Sequence, residues 1–137
     1  MTKILFVCRY NRFRSRVAEA YFNKINKNKS YNTKSAGLIE GNPVEGKRDL
    51  MIKKKYGLRI SGKTRGLSSK LLAWQDLTII VADDVPEQVF NKNKKYGKRV
   101  IVWKIKETNG KKRTPEMVVK EIIKKVDNLV KSLRSKR

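Results

Sequence analysis

The sequence predicts an α/β layer fold on a parallel sheet of four strands. Three observations carry this expectation. Short apolar runs of strand length alternate with stretches of helical apolar spacing along the chain. The first run, Lys3-Ile4-Leu5-Phe6-Val7, has no polar alternation, as in strands buried on both faces of a parallel sheet. The last stretch, from Thr114, sets its apolar residues at helical spacing, as a helix packed on such a sheet does.

The elements follow in order. A strand over 3–8 leads through a loop over 8–15 into a helix that reaches about Asn26 and carries Val17, Ala18, Ala20, Tyr21, Phe22 and Ile25. Lys27-Asn28-Lys29-Ser30 is a polar turn, and Tyr31 to Ala36 reads as the second strand, ended by Gly37. Asn42-Pro43 marks a helix start, with proline in the first turn. That helix is expected from Val44 to Tyr56, stopped by Gly57, with a sparse apolar face of Val44, Leu50 and Met51. Residues 58–66 read as irregular and basic, and Leu67 to Trp74 as a short helix. Asp76 to Ala82 is a buried strand, and Pro86 opens a short helix with Val89 and Phe90. Asn91 to Lys95 and Tyr96-Gly97 read as a loop before the last strand, Arg99 to Trp103. A polar loop over 104–113 precedes Thr114-Pro115-Glu116, where a hydroxyl cap, a proline and an acid start a helix. Met117, Val118, Ile122, Val126, Leu129, Val130 and Leu133 form its apolar face, and 134–137 reads as a frayed tail.

Composition narrows the function classes. A chain of 137 residues is the size of one domain, 1–137, with one core. No apolar run approaches the ~18–20 residues a bilayer span needs, so no membrane association is expected. The N-terminus has no secretory pattern. A single cysteine fits a reducing cytoplasm, and it excludes an intrachain disulfide and a clustered cysteine metal site. With no histidine, a Ser-His or Cys-His pair is excluded too. Neither a metal nor a cofactor is expected. The net charge of +23 predicts attraction to anions and salt-dependent, nonspecific affinity for nucleic acid. Lysines spread over solvated faces account for the same number.

The chemistry concentrates in Val7-Cys8-Arg9-Tyr10-Asn11-Arg12-Phe13-Arg14-Ser15, between the first strand and the first helix. A strand–loop–helix turn aims backbone N–H groups at one spot, and the helix N-terminus adds roughly half a positive charge. Cysteine thiols beside helix N-termini and cations titrate below the usual ~8.5, which makes them nucleophiles at neutral pH. Arg14 offers a planar fork of donors suited to two phosphate oxygens. Ser15 can donate a hydrogen bond to the sulfur, and Asn11 tolerates a left-handed backbone and can tie the loop to itself. A buried cysteine at a strand end among solvated arginines is the plainer alternative, and it stays open on the string alone.

This stretch resembles the signature loop of the low-molecular-weight protein tyrosine phosphatases and of their relatives, the thioredoxin-coupled arsenate reductases. Cys8, Asn11, Arg14 and Ser15 match, as do Ala18-Glu19, Ser35-Ala36-Gly37, Gly57-Leu58-Arg59-Ile60-Ser61, and Asp76-Leu77-Thr78-Ile79-Ile80 with Asp83. The resemblance implies a three-layer sandwich of strand order 2-1-3-4 with a phosphate-binding loop after strand 1. It implies a monomeric phosphomonoester hydrolase acting on phosphorylated protein or a small phosphomonoester, and binding phosphate or similar oxyanions. Cys8 would be the nucleophile of a phosphocysteine mechanism, with Arg14, Ser15 and a general acid as catalytic partners. Arg9, Tyr10, Asn11, Arg12 and Phe13 would form the substrate-binding loop.

The departures are informative. The family's Asp-Pro acid is absent; counting from Trp103 puts Glu107 in its place, with Asp83 and Asp84 as rivals. Tyr10 stands where a glycine is usual, and Phe13 where a second cysteine protects the nucleophile. Lys63 lies about where a supporting histidine would be. The aromatic pair that flanks phosphotyrosine is missing at Thr108-Asn109-Gly110, leaving Tyr10 or Trp103 as a wall. A reductase relay needs further cysteines, so with Cys8 alone it cannot run within this chain. The other reading is a noncatalytic anion- or nucleic-acid-binding protein on the same fold, with Arg9, Arg12, Arg14 and Arg16 crowding one mouth.

Overall fold

The computed structural model of the chain describes residues 1–43, 46–95 and 98–135. The apolar run at the N-terminus is the centre of the sheet. Strand β1 (Thr2–Cys8) pairs in parallel with β2 (Tyr31–Gly37) on one side and with β3 (Leu77–Val81) on the other. Strand β4 (Arg99–Trp103) pairs in parallel with β3, so the order is β2-β1-β3-β4. The expected order 2-1-3-4 is therefore the observed one.

Side chains of a strand alternate between faces, and β1 divides its residues accordingly. Ile4 and Phe6 enter a core with Val17 and Phe22 of α1 (Arg14–Ile25) and Val118, Ile122 and Val126 of α5 (Pro115–Ser135). Phe6 packs on Phe22 and Trp103, with ring centroids 5.9 and 6.4 Å apart. Leu5 and Val7 enter a second core with Leu71 of α3 (Ser69–Trp74) and Phe90 of the 3-10 turn Glu87–Phe90. Helices on both faces make the three layers. Tyr21 ties α1 to α5 by donating its hydroxyl to Asp127 at 2.7 Å. No helix of the described residues is long and apolar enough to cross a membrane.

Several elements differ from expectation. Helix α2 spans Lys47–Tyr56 and not Val44–Tyr56, so Pro43 lies ahead of the helix; residues 44 and 45 lie outside the described residues. Its inward face is Asp49 and Ile52, and Leu50 is exposed, because Leu50 sits on the far side of the turn from Ile52. Asn91 to Lys95 forms α4 where a loop was expected: the 3-10 turn runs on into one α-helical turn, anchored by buried Asn93, whose amide donates to Leu72 O at 3.1 Å. Tyr96 and Gly97 lie outside the described residues. The stretch 104–113 is polar but anchored, since Ile105 is fully buried and Asn109 bridges Arg113. Met117 is exposed, one step off the buried stripe Val118, Ile122, Val126 and Leu129. The last helix continues through Arg134 to Ser135, and residues 136–137 lie outside the described residues.

Burial first, and then the bond to Asp127, push the Tyr21 hydroxyl up to about 12 from an ordinary 10.0. A raised folded value means that its contribution is complete below pH 10.0 and is lost as pH rises toward about 12. Tyr21→Phe is expected to cost about 1 kcal/mol in urea unfolding at pH 7. The same comparison at alkaline pH should show that gap closing as Tyr21 ionises.

Candidate active site

The loop after β1 is shaped by its neighbour. Cys8 pairs with Gly37 at the last position of the β1–β2 register. The N–H groups of Leu38 and Ile39 donate to the carbonyls of Cys8 and Arg9, each at 2.9 Å, and Gly41 N–H donates to Tyr10 O at 3.2 Å. These bonds turn the loop's carbonyls outward. Among the described residues, the N–H groups of Tyr10, Asn11, Arg12 and Phe13 meet no protein acceptor. A run of free backbone donors ahead of a helix N-terminus is an anion cradle. Gly37 makes room for it: a Cβ there would lie 2.6 Å from Tyr10 C and 2.7 Å from Asn11 N, both backbone atoms.

Asn11 holds the loop together. It is buried and left-handed, with φ 57°. Its amide donates to Ser15 Oγ at 2.9 Å and to Ser35 Oγ at 3.0 Å, and its Oδ1 accepts from Arg65 N–H at 2.9 Å. Arg16 Nε donates to Asn11 O at 2.6 Å, and a second Arg16 nitrogen donates to Ile60 O. Burial lowers the Arg16 pKa, against the pull of Glu19 and Asp49. Because Ser15 Oγ already accepts from Asn11, its own proton is free for Cys8 Sγ, which lies 3.0 Å away.

Arg14 is 1% exposed, so its charge has to be met from within. Nη1 donates to Ile105 O at 2.9 Å, and Nη2 donates to Asp84 Oδ1 at 3.0 Å and Oδ2 at 3.3 Å. Asp83 Oδ1 lies 3.7 Å from Nη1, and Glu107 Oε2 lies 3.6 Å from Nε. Nε itself is buried and makes no hydrogen bond to the described residues. The carboxylates come from the loops after β3 and β4, which border the carboxyl end of β1, the switch point of the sheet.

A cavity of about 500 Å³ opens over this loop, lined by Cys8, Tyr10, Arg12, Phe13 and, on its other sides, Lys47, Arg48, Asp49, Glu107 and Thr108. Of the residues anticipated from sequence, Cys8, Tyr10, Arg12, Phe13 and Glu107 thus share one cavity. Ser15, Asn11 and Arg14 lie beneath it, bonded as described. Arg9 is at the rim, with Nε donating to Tyr10 Oη at 3.1 Å and Nη1 to Asp84 O at 3.5 Å. Trp103 is no wall: it is a buried core residue against Phe6. Lys63 is exposed, and Thr64 beside it is the residue that braces the loop, donating its hydroxyl to Gly41 O. Lys47, Arg48 and Asp49 were not anticipated at the site. They form the first turn of a helix with no motif of its own, brought there by tertiary packing.

A doubly covered parallel sheet with an anion cradle at the carboxyl end of its first strand defines a class: an α/β protein that takes an oxyanion at a cysteine-bearing loop. The model of the low molecular weight phosphotyrosine protein phosphatase family matches residues 3–137, and the chain belongs to that family of enzymes. No curated protein matches the sequence. Among solved structures, an arsenate reductase from Archaeoglobus fulgidus is 29% identical, with TM-score 0.68 over 93% of this chain and 98% of that one. A low molecular weight protein tyrosine phosphatase from T. tengcongensis is 25% identical, with TM-score 0.75 over 100% of both chains. A thioredoxin-dependent arsenate reductase from Corynebacterium glutamicum is 21% identical with TM-score 0.74, a likeness of fold; all of this chain spans 64% of that one.

Asn11→Ala removes three side-chain bonds and puts an alanine at positive φ, so it is expected to cost about 2–3 kcal/mol in thermal or urea unfolding. Asn11→Gly keeps the left-handed backbone and loses only the bonds. It should recover a measurable part of that loss.

Proposed function

We propose that the protein is a cysteine-dependent phosphomonoester hydrolase that works through a phosphocysteine. The observation that carries this reading is the set around Cys8: a thiol at the floor of the cavity, with a hydroxyl 3.0 Å away whose proton is free for the sulfur. The family acts on phosphorylated substrates and binds phosphate.

In the first step the Cys8 thiolate attacks phosphorus in line with the ester oxygen. The P–S bond forms as the P–O bond breaks, and the leaving oxygen takes a proton from Glu107. The loop N–H groups and Arg14 Nε bind the non-bridging oxygens and hold the transferring group. In the second step Glu107, now a carboxylate, takes a proton from water as that water attacks phosphorus. The P–S bond breaks, inorganic phosphate leaves, and Ser15 stabilises the thiolate. Glu107 is the acid in this scheme because it lines the cavity, whereas Asp83 and Asp84 face Arg14 from outside the lining. Asp84 is the positioning residue that grips Arg14. The likeness to arsenate reductases carries no relay here, since Cys8 is the one cysteine of the sequence.

Hydrolysis of an aryl phosphate, under reducing conditions and without added metal, tests the scheme. Cys8→Ser should abolish turnover while leaving phosphate binding measurable by calorimetry. Glu107→Gln should lower kcat by about 100- to 10,000-fold, with the larger loss for poorer leaving groups. Wild-type protein that binds phosphate and does not hydrolyse the ester would overturn the scheme and leave a binding protein.

A further inference from the structure

We infer that the wall of the cavity formed by the first turn of α2 is a subsite for a second anionic group, so that the preferred substrates are phosphomonoesters bearing a carboxylate or phosphate beside the scissile phosphate. The inference rests on the hydrolase reading and adds to it the class of substrate.

The argument is one of unmatched charge. Three cations line the cavity: Arg12 from the loop, and Lys47 and Arg48 from α2. None of the three forms an ion pair with a described residue. Arg14, beneath them, differs: its charge is met by Asp84, Asp83, Glu107 and Ile105 O, so it adds little spare positive potential to the wall. Of the two acids of the lining, Asp49 is buried and its charge also acts on Arg16, and Glu107 stands with Thr108 on the loop after β4, its Oε1 accepting Thr108 N–H at 2.8 Å.

Two of the cations have a defined setting. The Arg48 guanidinium lies 4.2 Å from the centroid of the Phe13 ring, a cation–π seat that fixes it against the residue before Arg14. Arg12 Nε is buried without a hydrogen-bond partner among the described residues, and a buried donor in that state costs free energy until an acceptor arrives. A substrate whose only charge is the scissile phosphate uses the loop and leaves Arg12, Lys47 and Arg48 without an ion-pair partner among the described residues. A second carboxylate or phosphate in the cavity would bring the wall an opposite charge. Tyr10, 42% exposed, offers an aromatic surface at the mouth for the body of the substrate.

The test uses two matched pairs: phenyl phosphate with 3-carboxyphenyl phosphate, and a phosphotyrosine peptide flanked by serines with the same peptide flanked by aspartates. For each pair kcat/KM is measured on wild type at physiological salt, and Kd is measured on Cys8→Ser, so that the binding preference is read whether or not the protein turns over. The acidic member is expected to be favoured by about tenfold in both readouts, the size of one charge-assisted contact. Lys47→Glu with Arg48→Glu should erase or invert that ratio. The control is Lys124→Glu with Lys125→Glu on the solvent side of α5, which changes the net charge equally and should leave the ratio in place. Equal values for the two members of each pair would overturn the inference. So would equal loss of preference in the two double variants, since that assigns it to the overall charge of +23. A preference in the carboxyphenyl pair alone would assign the subsite to small doubly charged esters, and one in the peptide pair alone to acidic phosphopeptides. Absence of turnover with a tenfold preference in Kd would overturn the hydrolase reading and leave the subsite standing.

Discussion

The hydrogen bonds of one side chain, Asn11, hold the loop after β1 in its shape. Its left-handed backbone reverses the chain within the six residues between strand and helix, and its amide group binds three partners from different parts of the chain. One is Ser15, the next contact of Cys8. Another is Ser35 on β2, and the third is the backbone of Arg65, far along the sequence. A polar residue buried this completely is tolerated only when its donors and acceptor are satisfied, and here the bond to Ser15 also leaves that hydroxyl's proton for the thiol. The rigidity of the cradle and the direction of the Ser15 proton therefore have the same cause.

Around that centre the charges are arranged in two shells of different character. The inner cation, Arg14, is enclosed and neutralised by protein oxygen atoms. The outer cations, Arg12, Lys47 and Arg48, face the cavity. Enclosure keeps Arg14 in a single geometry, which is what a group that binds a developing charge requires, because the cost of reorganising it has already been met in folding. The outer group borders the space an incoming molecule would enter, where its field acts on approach.

Much of this was legible in the sequence, and the illegible parts share a physical reason. The runs Ile4 to Val7 and Leu77 to Val81 are apolar throughout and could only be buried strands, and Val118, Ile122, Val126 and Leu129 repeat at a period that only a helix satisfies. The spacing of Cys8 and Ser15 lies within one strand–loop–helix unit, and the two side chains meet at 3.0 Å. Asn91 to Lys95 carries no apolar signal, and its helix exists because the preceding turn and the contact of Asn93 with Leu72 impose it. Proline before a helix marks a start only to within a few residues, and α2 begins at Lys47, after Pro43. The partners of Arg14 lie 70 and 91 positions away, and the cationic wall comes from a helix whose first turn reads as ordinary solvated charge. Local pattern reports neither.

The pairing of Cys8 with Gly37 makes the active geometry a readout of correct folding. Parallel strands that slip by one residue exchange every side chain between faces, and here a slip would also bring Ala36 or Leu38 opposite Cys8. Either would drive a Cβ into the backbone of Tyr10 and Asn11, where only a hydrogen atom fits. A chain closed in the wrong register could still bury apolar surface, yet it could not shape the cradle. The sheet thus works as its own inspector, since the space the loop needs exists only where the first two strands are in step.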